Sequence, residues 1–90
     1  ILPFARKSIV EIPIQKGIIK LRVSYNRASW TDSNVEPFIR EKMASQLSVH
    51  LRTNYPLTLE DIKNIIDGID FMYGNKGVNV GVLEISYEQW

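Results

Sequence analysis

His50 is the chain's one histidine. Histidine suits proton transfer near neutral pH and metal ligation. Metal ligation needs three or four convergent donors, and no local carboxylate pattern or donor cluster surrounds His50. It precedes Leu51 beside an apolar helical stripe, so a packing or boundary role is expected. Glu60, Asp61, Asp67 and Asp70 make a carboxylate-rich segment. Paired carboxylates serve acid–base chemistry or hold a hard cation. Asp67-Gly68-Ile69-Asp70 lacks the spacing of a calcium loop, and a solvated helix face accounts for these acids. Gly74, Gly77 and Gly81 with Lys76 match neither the dinucleotide fingerprint nor the phosphate-binding loop. Helix termination and turn formation explain them. Ser24, Ser29 and Ser33 have no nucleophile-elbow context. No catalytic, cofactor-binding or metal-ligating residue is assigned, and the reading leans away from an enzyme.

The basic residues form the most suggestive group. Lys20 and Arg22 fall on the polar side of an alternating segment, with Arg27 just beyond and Tyr25 and Trp30 nearby. A sheet that sets cations beside exposed aromatics binds nucleic-acid backbone and stacks bases. Tyr25, however, is in phase with Ile19, Leu21 and Val23 and belongs with the core. The pI of 8.2 also lies below the strongly basic range of nucleic-acid binders.

These residues need elements to position them. Two helices are expected between Ser33 and Gly74. The first opens on a Ser33/Glu36 capping box, with Pro37 near its start. It buries Ile39, Met43, Leu47 and Leu51, flanked by Phe38, and ends near Thr53, because Tyr55 precedes Pro56. The second opens on Thr58, with Asp61 as the reciprocal acid and Leu57 and Ile62 as a hydrophobic staple. Its apolar face is Ile62, Ile65, Ile66, Ile69, Met72 and Tyr73, and Gly74 stops it in a left-handed cap. Lys63, Asn64, Asp67 and Asp70 occupy its other side.

Residues 1–7 read as a flexible arm. Ser8–Ile14 alternates, with Val10, Ile12 and Ile14 inward, and Pro13 marks an edge strand. After a turn at Gln15-Lys16-Gly17, Ile19, Leu21, Val23 and Tyr25 alternate with polar partners. Val78–Tyr87 is the last strand. Its apolar phase changes near Gly81, from Val78, Val80 and Val82 to Leu83, Ile85 and Tyr87 on the opposite face, which suggests a bulge. Strand directions favour the order 1-2-3. The expected fold is α+β: a two-layer β-β-α-α-β sandwich with a helix hairpin on one face of a three-stranded antiparallel sheet.

Ninety residues with 44% hydrophobic content fit one small domain over 1–90. The absence of cysteine excludes disulfides and thiolate metal sites, and the compartment stays open. No apolar run reaches the roughly 20 residues of a membrane-spanning helix. The opening Ile1-Leu2-Pro3-Phe4, without methionine or a signal-peptide pattern, reads as an excised or processed piece. The net charge of +1 is unevenly spread. Residues 1–27 carry six cations against Glu11, a net +5, and residues 58–90 carry a net −4. This split, a small sheet with an open edge, and the aromatics Tyr87 and Trp90 point to a non-enzymatic, self-associating interaction or assembly module. Its expected oligomer edge is Leu83, Ile85, Tyr87 and Trp90, and the expected partner is a protein or a second copy. The alternative is nucleic-acid binding through Lys20, Arg22 and Arg27.

Overall fold

The computed structural model describes residues 6–53 and 56–87, and of Tyr87 the backbone only. Its elements are β1 (Arg6–Ile14), β2 (Gly17–Tyr25), α1 (Asp32–Arg52), α2 (Leu59–Tyr73) and β3 (Val78–Tyr87), with a 3₁₀ turn at Gly74–Lys76. The sheet order is β1-β2-β3, antiparallel throughout. Alternation produces the layering. Val10 and Ile12 of β1, and Ile19, Leu21, Val23 and Tyr25 of β2, are buried on one face. Val35, Ile39 and Met43 of α1 and Ile62, Ile65, Ile66 and Ile69 of α2 complete the core over that face. The α1 helix lies on the β1 side and α2 on the β3 side. The other sheet face is left to solvent, as a two-layer α+β fold requires. Among the described residues no helix is long and apolar enough to cross a membrane.

Several local expectations change. β1 starts at Arg6, so Arg6 and Lys7 are strand rather than arm, and residues 1–5 lie outside the description. α1 starts two residues early, on Thr31 rather than Ser33. Asn34 takes the part expected of Glu36, its Oδ1 accepting the Thr31 N–H at 2.7 Å. Pro37 therefore falls in the second turn, where it cannot donate to the Ser33 carbonyl. The Thr58 cap forms as expected. Its N–H donates to Asp61 Oδ2 at 3.0 Å, and its Oγ1 accepts from the Asp61 N–H at 3.1 Å. Two residues expected in the stripes are not buried: Leu51 and Met72 are each 62% exposed, while Tyr73 packs against the core.

The left-handed stop belongs to Gly77, at φ 85°, and not to Gly74, whose φ is −58°. α2 first tightens into its 3₁₀ turn, with the Gly77 N–H on the Gly74 carbonyl. At Gly77 a Cβ would come within 2.7 Å of Arg27 Cγ and Asn26 Oδ1. The bulge also moves. The register shifts opposite Lys20 and Leu21, so Leu83 rather than Gly81 is the extra residue between Val82 and Glu84. The insertion returns Ile85 to the core face opposite Ile19, where it is half-buried, and not to the outer face expected of it.

Candidate interaction surfaces

A three-stranded sheet has two edges, and each helix sends one charged side chain to one of them. On β1, Arg40 Nη1 of α1 donates to the Glu11 carbonyl at 2.6 Å. Two residues on, Pro13 has no N–H to offer. On β3, the Val80 N–H donates to Asp70 Oδ1 of α2 at 2.8 Å. That bond identifies the Val23–Val80 pair as one whose polar groups point away from the β2–β3 ladder. Val82 is two residues further along the same row. Beyond the bulge, Ile85 and Tyr87 lie opposite Ile19 and Gly17, so their backbone groups point outward again. Between Val82 and Ser86 the described contacts include no second bond of the Asp70 kind. Val82 and Leu83 are 41% and 40% exposed. Of the expected edge residues, Leu83 stands at this margin and Ile85 turns inward. The Tyr87 side chain and Trp90 lie outside the described residues.

The basic residues are not gathered into one patch. Lys20 Nζ sits between Glu84 at 3.5 Å and Glu11 at 3.9 Å, in the middle of the outer sheet face. Arg22 is exposed one pair further along, opposite Ile9 and Gly81. Arg27 Nη2 donates to the Asn75 carbonyl at 2.7 Å and holds the turn before β3. Trp30 Nε1 binds the Lys76 carbonyl at 2.9 Å in the same corner. Its ring packs on Phe38, and Phe38 packs edge-on against Tyr73. The Lys42 and Lys76 ammonium groups lie 5.6 and 5.4 Å from the Tyr73 ring centre.

The residues with acid–base potential divide as follows. The Tyr25 hydroxyl donates to Asp32. That bond, then burial, holds the phenol above the usual tyrosine range. The Asp61 carboxyl is held below the usual carboxylate range, first by the Thr58 backbone N–H and then by the Thr58 hydroxyl, with a smaller effect from His50. Asp70 is bound to the β3 edge while Asp67 faces water. Among the described residues no three His, Cys, Asp or Glu side chains converge to hold a metal.

A groove of about 570 Å³ runs between α1 and α2, lined by Lys42, His50 and Ile65 among others and walled by Phe71 and Met72. Sequence periodicity missed it. Its only local signal was a glycine, Gly68, inside a helical pattern. The two edge bonds left no sequence signal, because Arg40 and Asp70 read as ordinary solvated helix charges. Compared with known proteins, the chain matches no family model, no curated protein and no solved structure.

Proposed function

We propose that this chain is a non-enzymatic protein-interaction module that self-associates through the Val82–Tyr87 length of β3. The observation that carries the reading is the outward row of β3 beyond Val80, with Val82 and Leu83 exposed along it. β1 is occupied at the Glu11 carbonyl and lacks a donor at Pro13. β3 is occupied at Val80 by Asp70, and its outward row continues at Val82 and Ile85. An unpaired row of backbone groups is a template for another strand. Two copies of β3 meeting antiparallel across a two-fold axis would form one six-stranded sheet from a self-complementary contact.

Sedimentation velocity over a salt series tests this. Edge pairing backed by Val82 and Leu83 holds or strengthens up to about 1 M salt. Head-to-tail association of the +5 and −4 ends weakens as screening shortens to roughly 3 Å. Leu83→Lys should abolish the edge contact, and its 40% exposure lets a charge remain solvated. Ile85→Lys would confound the result, because Ile85 packs on the core. A protein monomeric at every concentration and salt overturns the reading.

The alternative, nucleic-acid binding through Lys20, Arg22 and Arg27, is favoured by the exposed Arg22 on the open sheet face. It is weakened by the carboxylates around Lys20 and by the bond from Arg27 to Asn75. If it holds, Lys20→Ala with Arg22→Ala lowers the salt slope by about one unit per lost phosphate contact.

A further inference from the structure

The chain has two methionines and no cysteine, so its only sulfur is thioether sulfur. The fold treats the two oppositely. Met43 of α1 is fully buried in the core between the helices and the sheet. Met72 stands in the last turn of α2 and is 62% exposed. It walls the groove between α1 and α2 beside Phe71. A thioether is soft and polarizable, and electrophilic oxygen attacks it readily. The oxidant must touch the sulfur lone pair, so exposure separates the two sites. The product separates them again. An oxygen added at Met72 can be hydrated, whereas one added at Met43 would be buried in an apolar core and would cost the fold the desolvation of a polar group.

We propose that Met72 is a reversible oxidation site for peroxides, and that the fold shields Met43 from the same reaction. In the step, a lone pair on Met72 Sδ attacks one oxygen of hydrogen peroxide. The S–O bond forms as the O–O bond breaks, and the proton of the transferred hydroxyl passes to the leaving oxygen. Sulfur is oxidised by two electrons, and the peroxide is reduced to water. The product is methionine sulfoxide, which thiol-dependent reductases return to the thioether. Oxidation converts an apolar stretch of groove wall, Phe71 and Met72, into one carrying a strong hydrogen-bond acceptor. The change falls between the helices and not on the Val82–Tyr87 row, so it does not rest on the self-association reading. Met43 reacts only from opened molecules, and its rate therefore follows the population of the unfolded state.

The test treats the full chain with excess hydrogen peroxide at neutral pH, and timed digests with fragment mass spectra place each added oxygen. Met72 should oxidise within a few-fold of the rate of free methionine, and Met43 at least about a hundredfold more slowly. The singly oxidised protein should keep its circular dichroism spectrum, and a methionine sulfoxide reductase should remove the oxygen. Met72→Leu should abolish the fast uptake. Gly77→Ala should raise the Met43 rate about 5–30-fold through the unfolded population and leave the Met72 rate unchanged. Thr58→Ala should do the same more weakly, and it serves if Gly77→Ala does not fold. Equal rates at the two sulfurs overturn the proposal. So does fast uptake that survives Met72→Leu, a Met72 rate that rises in step with that of Met43 in the destabilised variants, or loss of the folded spectrum on oxidation of Met72 alone.

Discussion

Replacing Asp70 with alanine exposes the Val80 amide. Val80 is 7% exposed, so its freed N–H reaches water poorly. A hydrogen bond to a charged acceptor contributes about 1.5–3 kcal/mol. Asp70 also stands near the C-terminal end of α2, where the dipole disfavours negative charge, and removing it returns about 0.3–1 kcal/mol. The net expected loss is about 1–2 kcal/mol. In a domain of this size that lowers Tm by about 4–16 °C. Asp70→Asn, which keeps an acceptor without the charge, should fall between alanine and wild type. Circular dichroism at low concentration gives the stability, and hydrogen exchange at Val80 reports the bond itself. The second consequence has the opposite sign. Freeing Val80 lengthens the open edge, so sedimentation should show a tighter dimer, and one that Leu83→Lys abolishes. Unchanged exchange at Val80 would mean that the bond does not protect that amide. Lower stability with unchanged dimer affinity would refute the guarding argument while leaving the bond intact.

Thr58→Ala should cost about 1 kcal/mol through loss of the α2 cap, read from denaturant midpoints. The folded Asp61 carboxyl lies below its unfolded value. Its stabilisation is therefore complete above the ordinary carboxylate pKa of about 3.9 and lost as pH falls through the folded value. Asp61→Asn should flatten that acid limb in unfolding curves taken at successive pH values. For Tyr25 the sign reverses, because its folded pKa is raised. Its contribution is complete below about pH 10 and lost as pH rises through the folded value. Tyr25→Phe should accordingly remove a late step from the ultraviolet tyrosine titration. Gly77→Ala should destabilise by at least about 1–2 kcal/mol, because the left-handed backbone and the contacts with Asn26 and Arg27 both oppose a Cβ, and thermal unfolding measures it.

The fold was legible because its information is local. Alternation in Val10–Ile14 and Ile19–Tyr25 set two strands and their buried face. The Thr58/Asp61 box and Pro56 set the helix corner, and chain direction alone favoured the order 1-2-3. Misplaced features turned on competition between local signals. Ser33 and Thr31 are both competent caps, and Asn34 decides for Thr31 by reaching its N–H. Gly74 and Gly77 both end helices, and the backbones of Asn26 and Gly77, which meet at 3.0 Å, fix the left-handed residue at Gly77. The bulge was legible as a phase slip, but its position depended on which β3 residue β2 left unpaired. The candidate surfaces were mostly illegible. Arg40 reaches back 29 residues to Glu11, and nothing near either residue in the chain announces the contact. Phe71 and Gly68 were visible as residues, but that both line a groove between the helices, with Phe71 88% exposed, is a fact of three-dimensional placement.

The central position of β2 also bears on how the chain folds as it is made. Its partner on one side, β1, is two residues away, and the hairpin Ile14–Gly17 closes quickly. On its other side, Tyr25 waits for Val78, and two helices must be synthesised between them. Pairing so distant in sequence slows folding, because the loop must close before its contacts form. Until β3 emerges, β2 is itself an edge strand, with Leu21 and Val23 uncovered on their β3 side. Ribosome-bound chains ending before Val78 should therefore be the most aggregation-prone species the protein passes through. Arrival of β3 replaces that apolar margin with one on which Asp70 already occupies the outward Val80 amide.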